Sequence, residues 1–110
     1  MTTLVESTGR FDNESRRLIR KFRSLRNELD LLKSQLQQGD RPGDRLTGIG
    51  YKAYKVRLPN RSARRGKSGG FRVIYQERSG QLVLLLLIFS KTERGDIPND
   101  VIIRVIEEAN

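Results

Sequence analysis

Basic side chains alternate with apolar ones towards the end of the segment Tyr51–Leu58, the pattern of a strand with one buried face. Lys55 and Arg57 would then point to the same side, and Arg72, in the next predicted strand, would join them if the two strands pair in register. Three cations on one face could hold a phosphate and stabilise the negative charge that builds on it as it reacts. An ordinary basic sheet face in contact with water is the alternative interpretation.

A fourth candidate, Lys91, follows shortly after the most apolar segment of the chain, Leu82–Phe89. With Glu93 two positions further on, this lysine is either a salt-bridged strand end or a catalytic lysine, and spacing alone leaves both open.

Two residue types that are common in catalytic sites are missing. The sequence has no cysteine, which excludes a disulfide framework, a thiolate nucleophile and a cysteine-based zinc site. It has no histidine, which removes the commonest general base and the commonest metal ligand. Any chemistry must therefore depend on Lys, Arg, Tyr, Ser and carboxylates.

More cations lie in a glycine- and serine-containing segment between two predicted strands. Its triplet Gly66–Ser68 is similar to the end of a nucleotide-binding P-loop, but Arg61 stands where that motif needs glycine, and a strand follows instead of a helix. We interpret the segment as a basic loop whose backbone N–H groups can approach phosphate oxygens. A mobile connection is the alternative interpretation. The side chains that could neutralise phosphates are Arg61, Arg64, Arg65 and Lys67.

The net charge of the protein is concentrated in the same region. The chain carries 22 Lys and Arg against 13 Asp and Glu, a net charge of +9. Residues 41–80 hold eleven of these cations and two of the carboxylates, so they contribute +9 by themselves. Such asymmetry indicates a surface that meets a polyanion, because phosphates attract Lys and Arg and release counterions on binding.

Hydrophobic spacing predicts helices before this region. Apolar residues at intervals of three and four form a helical stripe, which consists of Leu18, Phe22, Leu25, Leu29, Leu32 and Leu36. One helix of about 26 residues would be ~39 Å long, too long for a small domain. We therefore predict a helical hairpin with an N-cap at Asp12 or Asn13, a break at Ser24, which caps the second helix, and an end at Gly39. A coiled-coil seam is the alternative.

Along the sequence, one strand is predicted before the hairpin, near Leu4, and the others after it. The segment Leu82–Phe89 is apolar at every position, as in a central strand buried on both faces. A short helix that begins near Pro98 ends the chain. The elements predict one domain over residues 1–110, with the order strand, two helices, three strands, helix. Since the longest apolar run has eight residues and a membrane helix needs ~20, we expect a soluble, cytoplasmic protein with no membrane partner.

In four segments the sequence resembles the RelE/ParE superfamily of toxins from type II toxin-antitoxin systems, and most closely the RelE- and HigB-type messenger-RNA interferases. The segments are Val5–Thr8 followed by Phe11, Tyr54–Leu58, Gly66–Tyr75 and Leu87–Glu93. The resemblance implies an α+β fold in which a small, mostly antiparallel four-stranded sheet carries an N-terminal helical hairpin and a C-terminal helix.

The resemblance also implies an activity: a metal-independent, cofactor-independent endoribonuclease that cleaves messenger RNA in the ribosomal A site. Its partners would be messenger RNA, the ribosome and a cognate antitoxin, for which a helix-turn-helix type is one form, with operator DNA reached only through the antitoxin. The implied catalytic residues are Lys55, Arg57, Arg72 and Lys91. The implied RNA-binding residues are Arg61, Arg64, Arg65, Lys67 and Arg94.

The chain departs from the family pattern at the residues that move protons. Phe89 and Pro98 stand where branches of the family carry tyrosine, and Thr92 stands where an arginine is common. General acid and base are therefore unassigned, with Lys55 the first choice for the base and Lys91 the second. Two alternative functions stay open: a ParE-like inhibitor of DNA gyrase that is not a nuclease, and a nucleic-acid-binding member with weakened catalysis.

Overall fold

The computed structural model of the chain describes residues 2–63 and 69–109. Within these residues the elements are β1 (Leu4–Ser7), α1 (Gly9–Lys21), α2 (Leu25–Gln37), β2 (Asp44–Arg45), β3 (Ala53–Leu58), β4 (Phe71–Ser79), β5 (Leu82–Ser90) and α3 (Asn99–Glu108). The predicted α+β class and the order of the predicted elements are confirmed, and β2 is an additional strand.

The sheet therefore has five strands in the described part of the chain, where the sequence predicts four. Its order is β1-β5-β4-β3-β2, and all neighbouring pairs are antiparallel except β1 and β5. The sequence does not predict β2 because this strand has two residues, both charged and exposed, and no apolar pattern marks it. Gly43 brings the chain beside β3 with a φ of +95° and a close approach to the Lys55 backbone, which only glycine tolerates.

Two apolar layers cover the two faces of the sheet. The helical hairpin packs on one face, where leucines of α1 and α2 meet Val56, Phe71 and Val73. On the other face α3 packs on Ile74 and Leu87. β5 is buried along nearly its whole length, as its continuous apolar sequence predicts.

The hairpin begins earlier than predicted. α1 starts at Gly9, and its N-cap is Thr8, whose Oγ1 accepts a hydrogen bond from the N–H of Phe11 at 3.0 Å. The prediction of Asp12 or Asn13 was wrong because the chain passes directly from β1 into α1, and the Thr8 N–H is held by the Leu85 carbonyl of β5 at 3.0 Å.

The predicted break of the hairpin is confirmed, but the predicted role of Ser24 is not. Ser24 precedes α2 and its side chain makes no capping bond. Its Oγ instead accepts a hydrogen bond from the N–H of Ser62 at 2.9 Å, while its own N–H donates to the Ser62 Oγ at 2.9 Å. The hairpin bend is thereby tied to the start of the basic loop.

The terminal helix follows β5 after a loop that covers residues 91–98. Pro98 stands at the N-cap of α3, and Ile102, Val105 and Ile106 are buried, as their spacing predicts. No helix among the described residues is both long enough and apolar enough to cross a membrane.

Candidate functional site

Strand pairing brings three of the predicted cations to one face of the sheet. Arg57 of β3 is the direct antiparallel partner of Arg72 of β4, and Lys55 lies two positions before Arg57. Side chains of directly paired residues point to the same side, and so do side chains two residues apart. Lys55, Arg57 and Arg72 therefore share one face.

Lys91, the fourth predicted cation, lies near the other three because three strand ends meet at this edge of the sheet. Leu58 at the end of β3 pairs with Phe71 at the start of β4, which in turn pairs with Ser90 at the end of β5. Lys91 follows Ser90, and its N–H donates to the Gly70 carbonyl at 2.9 Å. The backbone of Lys91 is thereby held beside the start of β4.

Gly70 is required for this junction. A Cβ at Gly70 would collide with the Leu58 carbonyl and would lie about 3.0 Å from the backbone of Pro59 and Asn60. The glycine therefore lets two strand ends approach each other closely.

Arg72 provides a fixed positive charge. Its side chain is 5% exposed, and its Nη1 donates to the Phe71 carbonyl at 3.2 Å. Burial is the main cause that lowers the pKa of Arg72, and the neighbouring Arg57 charge lowers it further, whereas Asp96 acts in the opposite direction. Arginine stays protonated in proteins, so a cation is held at the bottom of the site.

A carboxylate that the sequence does not single out, Asp96, lies among the cations. Its Oδ1 is 3.4 Å from Lys55 Nζ and 3.7 Å from Lys91 Nζ. Lys55 is the main cause that lowers the pKa of Asp96, and Lys91 and Arg72 act in the same direction. The partner of Lys91 in the described structure is thus Asp96, and not the nearby Glu93 considered from the sequence.

Asp96 has no sequence signal because its place is set by the loop after β5. Nothing periodic marks a loop residue five positions after Lys91. Glu93 and Asp96 are both close enough in sequence to pair with Lys91, and the path of the loop decides which of them does.

The loop is anchored on the helical hairpin through Glu93. The Glu93 carboxylate is 2.6 Å from Arg17 Nη2 and 2.8 Å from Lys21 Nζ, both on α1. These hydrogen bonds, with Arg17 first and Lys21 second, lower the pKa of Glu93 to about 2. The anchor holds the segment that carries Lys91, Arg94 and Asp96 against the rest of the domain.

The predicted RNA-binding residues are not all in one place. Arg61 pairs with Glu28 of α2, with 3.0 Å between Nε and Oε2, and its side chain is 70% exposed. Arg94 is exposed on the loop after β5. The remaining predictions, Arg64, Arg65 and Lys67, lie outside the described residues.

The three tyrosines of the chain take no part in the site. Tyr54 and Tyr75 stack on each other, with ring centroids 5.1 Å apart, in the layer under the hairpin. Tyr51 donates a hydrogen bond to Glu107 of α3 at 3.3 Å. Among residues 2–63 and 69–109, no group of three or more Asp or Glu side chains is arranged to hold a metal ion.

The arrangement can bind one small oxyanion. Arg72 supplies a buried guanidinium and Arg57 an exposed one. Lys55 and Lys91 supply two ammonium groups that already converge on a single carboxylate oxygen. A phosphate oxygen accepts the same charge-assisted hydrogen bonds as a carboxylate oxygen. The residues around the site could thus hold a phosphate without a metal.

Comparisons with known proteins identify the fold. No protein-family profile matches the sequence, and no curated protein matches it. Among solved structures, the chain is similar to an arginine double mutant of the E. coli toxin RelE in the free state. The two chains superpose over 100% of both lengths with a TM-score of 0.63 at 18% sequence identity. The protein therefore has a RelE-like fold.

Proposed function

We propose that this protein is the toxin of a toxin-antitoxin system and that it cleaves messenger RNA without a metal or cofactor. The observation that carries the proposal is the convergence of Lys55 and Lys91 on one anionic oxygen beside Arg72. An RNA phosphate beside Asp96 would be bound by the same ammonium groups, and the RelE-like fold makes RNA cleavage the best-supported chemistry.

Each cation has a proposed role in the cleavage. Arg72, fixed by burial, binds a non-bridging oxygen of the scissile phosphate, and Arg57 binds the adjacent backbone. Lys55 and Lys91 stabilise the additional negative charge that develops when the ribose 2′-oxygen attacks phosphorus. The products are a 2′,3′-cyclic phosphate and a 5′-hydroxyl end.

The substrate and the partners are part of the proposal. Messenger RNA in the ribosomal A site is the proposed substrate, with Arg61 and Arg94, and the loop cations Arg64, Arg65 and Lys67, along its backbone. A cognate antitoxin, for which a helix-turn-helix type is one form, would cover the cationic surface and carry the toxin to operator DNA. This function requires the protein to act in the cytoplasm.

Induced expression in bacteria tests the function. We expect rapid translation arrest and cut transcripts from the wild type, and loss of both effects from Lys55→Ala. Lys33→Ala is the matched control, because Lys33 is an exposed lysine on α2. DNA damage with intact transcripts would contradict the proposal and support the ParE-like gyrase inhibitor.

A binding protein with weakened catalysis is the second candidate, and the positions of the three tyrosines favour it. No phenol hydroxyl lies beside the cations to transfer a proton. RNA binding by the purified protein with intact RNA and no growth arrest would support this candidate over the nuclease.

A further inference from the structure

Cleavage of RNA needs a group that takes the proton of the 2′-hydroxyl, and the residues usual for this task are missing. The chain has no histidine, and its tyrosines lie elsewhere. We propose that the Asp96 carboxylate is the proton acceptor in the cleavage reaction. The inference rests on the proposed function and assigns one further residue of its site.

The contacts of Asp96 put it where an acceptor must be. Its Oδ1 is 3.4 Å from Lys55 Nζ and 3.7 Å from Lys91 Nζ, the ammonium groups that would hold the scissile phosphate. In RNA the attacking 2′-oxygen is adjacent to that phosphate, and attack requires about 3–3.5 Å between the reacting atoms. A base in contact with the phosphate-binding groups is thus also near the 2′-hydroxyl.

The Asp96 side chain is exposed, and the loop that carries it is anchored on both sides of this residue. Its side chain is 61% exposed, which leaves room for a ribose on its outer side. The loop is fixed before Asp96 by the ion pairs of Glu93 with α1, and after it by Ile97, which packs against the apolar layer under α3. Asn99 adds a hydrogen bond from its Nδ2 to the Thr47 carbonyl at 3.1 Å. Such anchoring limits the loss of orientation that an exposed loop residue would otherwise suffer.

The proposed step balances in atoms and charge. The 2′-hydroxyl proton passes to the Asp96 carboxylate while the bond from the 2′-oxygen to phosphorus forms. The bond from phosphorus to the 5′-oxygen breaks, and an ammonium group, Lys55 or Lys91, gives its proton to that leaving oxygen. The proton then returns from the carboxylic acid to the neutral amine, so the site regains its starting state and no water is consumed.

Arrival of the phosphate would also make Asp96 a better base. In the free protein, the ammonium of Lys55 is the main cause that lowers the pKa of Asp96, with Lys91 and Arg72 contributing. A bound phosphate draws these same cations to its own oxygens, and its negative charge adjacent to Asp96 raises the pKa of the carboxyl. The affinity of Asp96 for a proton therefore increases when the substrate is in place.

A different role for Asp96 predicts the opposite effect of its removal on cleavage. If Asp96 were only an internal anion that occupies the phosphate site, its removal would strengthen RNA binding and would also speed cleavage. If it were the proton acceptor, its removal would leave binding equal or stronger but would slow cleavage. Binding and cleavage must therefore be measured separately.

The experiment compares Asp96→Asn, Asp96→Glu and Asp44→Asn with the wild type on a programmed ribosome, under single-turnover conditions. Asp44 is the matched control because it is an exposed carboxylate on β2, directly opposite Lys55. We expect cleavage by Asp96→Asn to fall at least about 100-fold, the usual contribution of a general base. Asp96→Glu should restore part of the rate, and Asp44→Asn should stay within about threefold of the wild type.

Two further readouts separate proton transfer from binding and folding. RNA with a 2′-deoxy substitution at the cleavage position should bind to Asp96→Asn as tightly as to the wild type, or more tightly. The wild-type rate should be flat from about pH 6 to pH 8, because a carboxyl group stays ionised over this range even when a bound phosphate raises its pKa, whereas an amine acceptor would give about a tenfold rise per pH unit.

Failure of the Asp96 assignment can be distinguished from failure of the proposed function. Unchanged or faster cleavage by Asp96→Asn, or a rate that climbs with pH, would overturn the assignment of Asp96 and leave the proposed function intact. No cleavage by the wild type on any RNA would overturn both.

Discussion

Arg57 and Arg72 are direct partners across β3 and β4, so two guanidinium groups occupy one face of the sheet at adjacent positions. Like charges placed opposite each other destabilise a sheet, and burial of Arg72 adds the cost of removing a charge from water. This arrangement is unfavourable for the fold alone and suits the binding of an anion. Function and stability therefore make opposite demands on this pair of arginines.

Replacement of Arg72 by methionine should consequently reduce RNA cleavage strongly without loss of stability. Met has a similar volume and relieves the repulsion by Arg57. We expect Arg72→Met to lower RNA cleavage at least about 100-fold and to leave the free energy of unfolding equal or about 0.5–1 kcal/mol higher. Urea denaturation and a cleavage assay check the two parts. Arg104→Met, at an exposed site on α3, should retain activity.

The Glu93 anchor should make stability depend on pH. The folded-state pKa of Glu93 is about 2, below its ordinary value of 4.5, so the anchor contributes fully above pH ~4.5 and is lost as the pH falls towards ~2. Because its partners are about half exposed, solvent screening reduces the contribution to about 1 kcal/mol. Urea denaturation should give that difference between wild type and Glu93→Gln at pH 7. The difference should shrink as the pH falls below 4.5, whereas a constant difference at all pH values would contradict the assignment.

Substitution of Gly70 should damage the junction of strand ends. The Cβ of alanine would collide with the Leu58 carbonyl, and the strand ends would have to separate. We expect Gly70→Ala to cost about 2–4 kcal/mol of unfolding free energy. Gly80→Ala is the control, since nothing lies within 4 Å of a Cβ there. Equal stability of the two variants by thermal denaturation would argue against the close approach.

The reciprocal bonds between Ser24 and Ser62 should couple the two positions energetically. Each hydroxyl accepts a hydrogen bond from the other residue's N–H at 2.9 Å. A double-mutant cycle with alanine at both positions should give a coupling energy of about 0.5–1.5 kcal/mol. Additive effects of the two substitutions on the urea midpoint would show that the hairpin bend and the loop are independent.

The sequence predicts most of the fold because the main elements bury apolar faces. The leucine stripe of the hairpin and the continuous apolar run of β5 leave little choice of structure. The features that the sequence does not predict have no such face. β2 consists of two exposed charged residues. Thr8, and not Asp12 or Asn13, is the N-cap of α1 because β1 ends directly before it.

The site is predictable to the extent that it lies on strands. Alternation puts Lys55 and Arg57 on one face, and strand pairing adds Arg72. Asp96 could not be predicted, because its position depends on the path of a loop and on the Glu93 contacts with α1, which are distant in sequence. Local spacing carries no information about such a contact.

The most direct test of the central claim is to identify the ends of RNA cut by the purified protein on a programmed ribosome. We expect a 2′,3′-cyclic phosphate and a 5′-hydroxyl from the wild type, and at least about 100-fold less of both from Arg72→Met at equal concentration. Intact RNA with the wild type, or the same products in the same yield from Arg72→Met, would contradict the claim that this cluster of cations cleaves RNA.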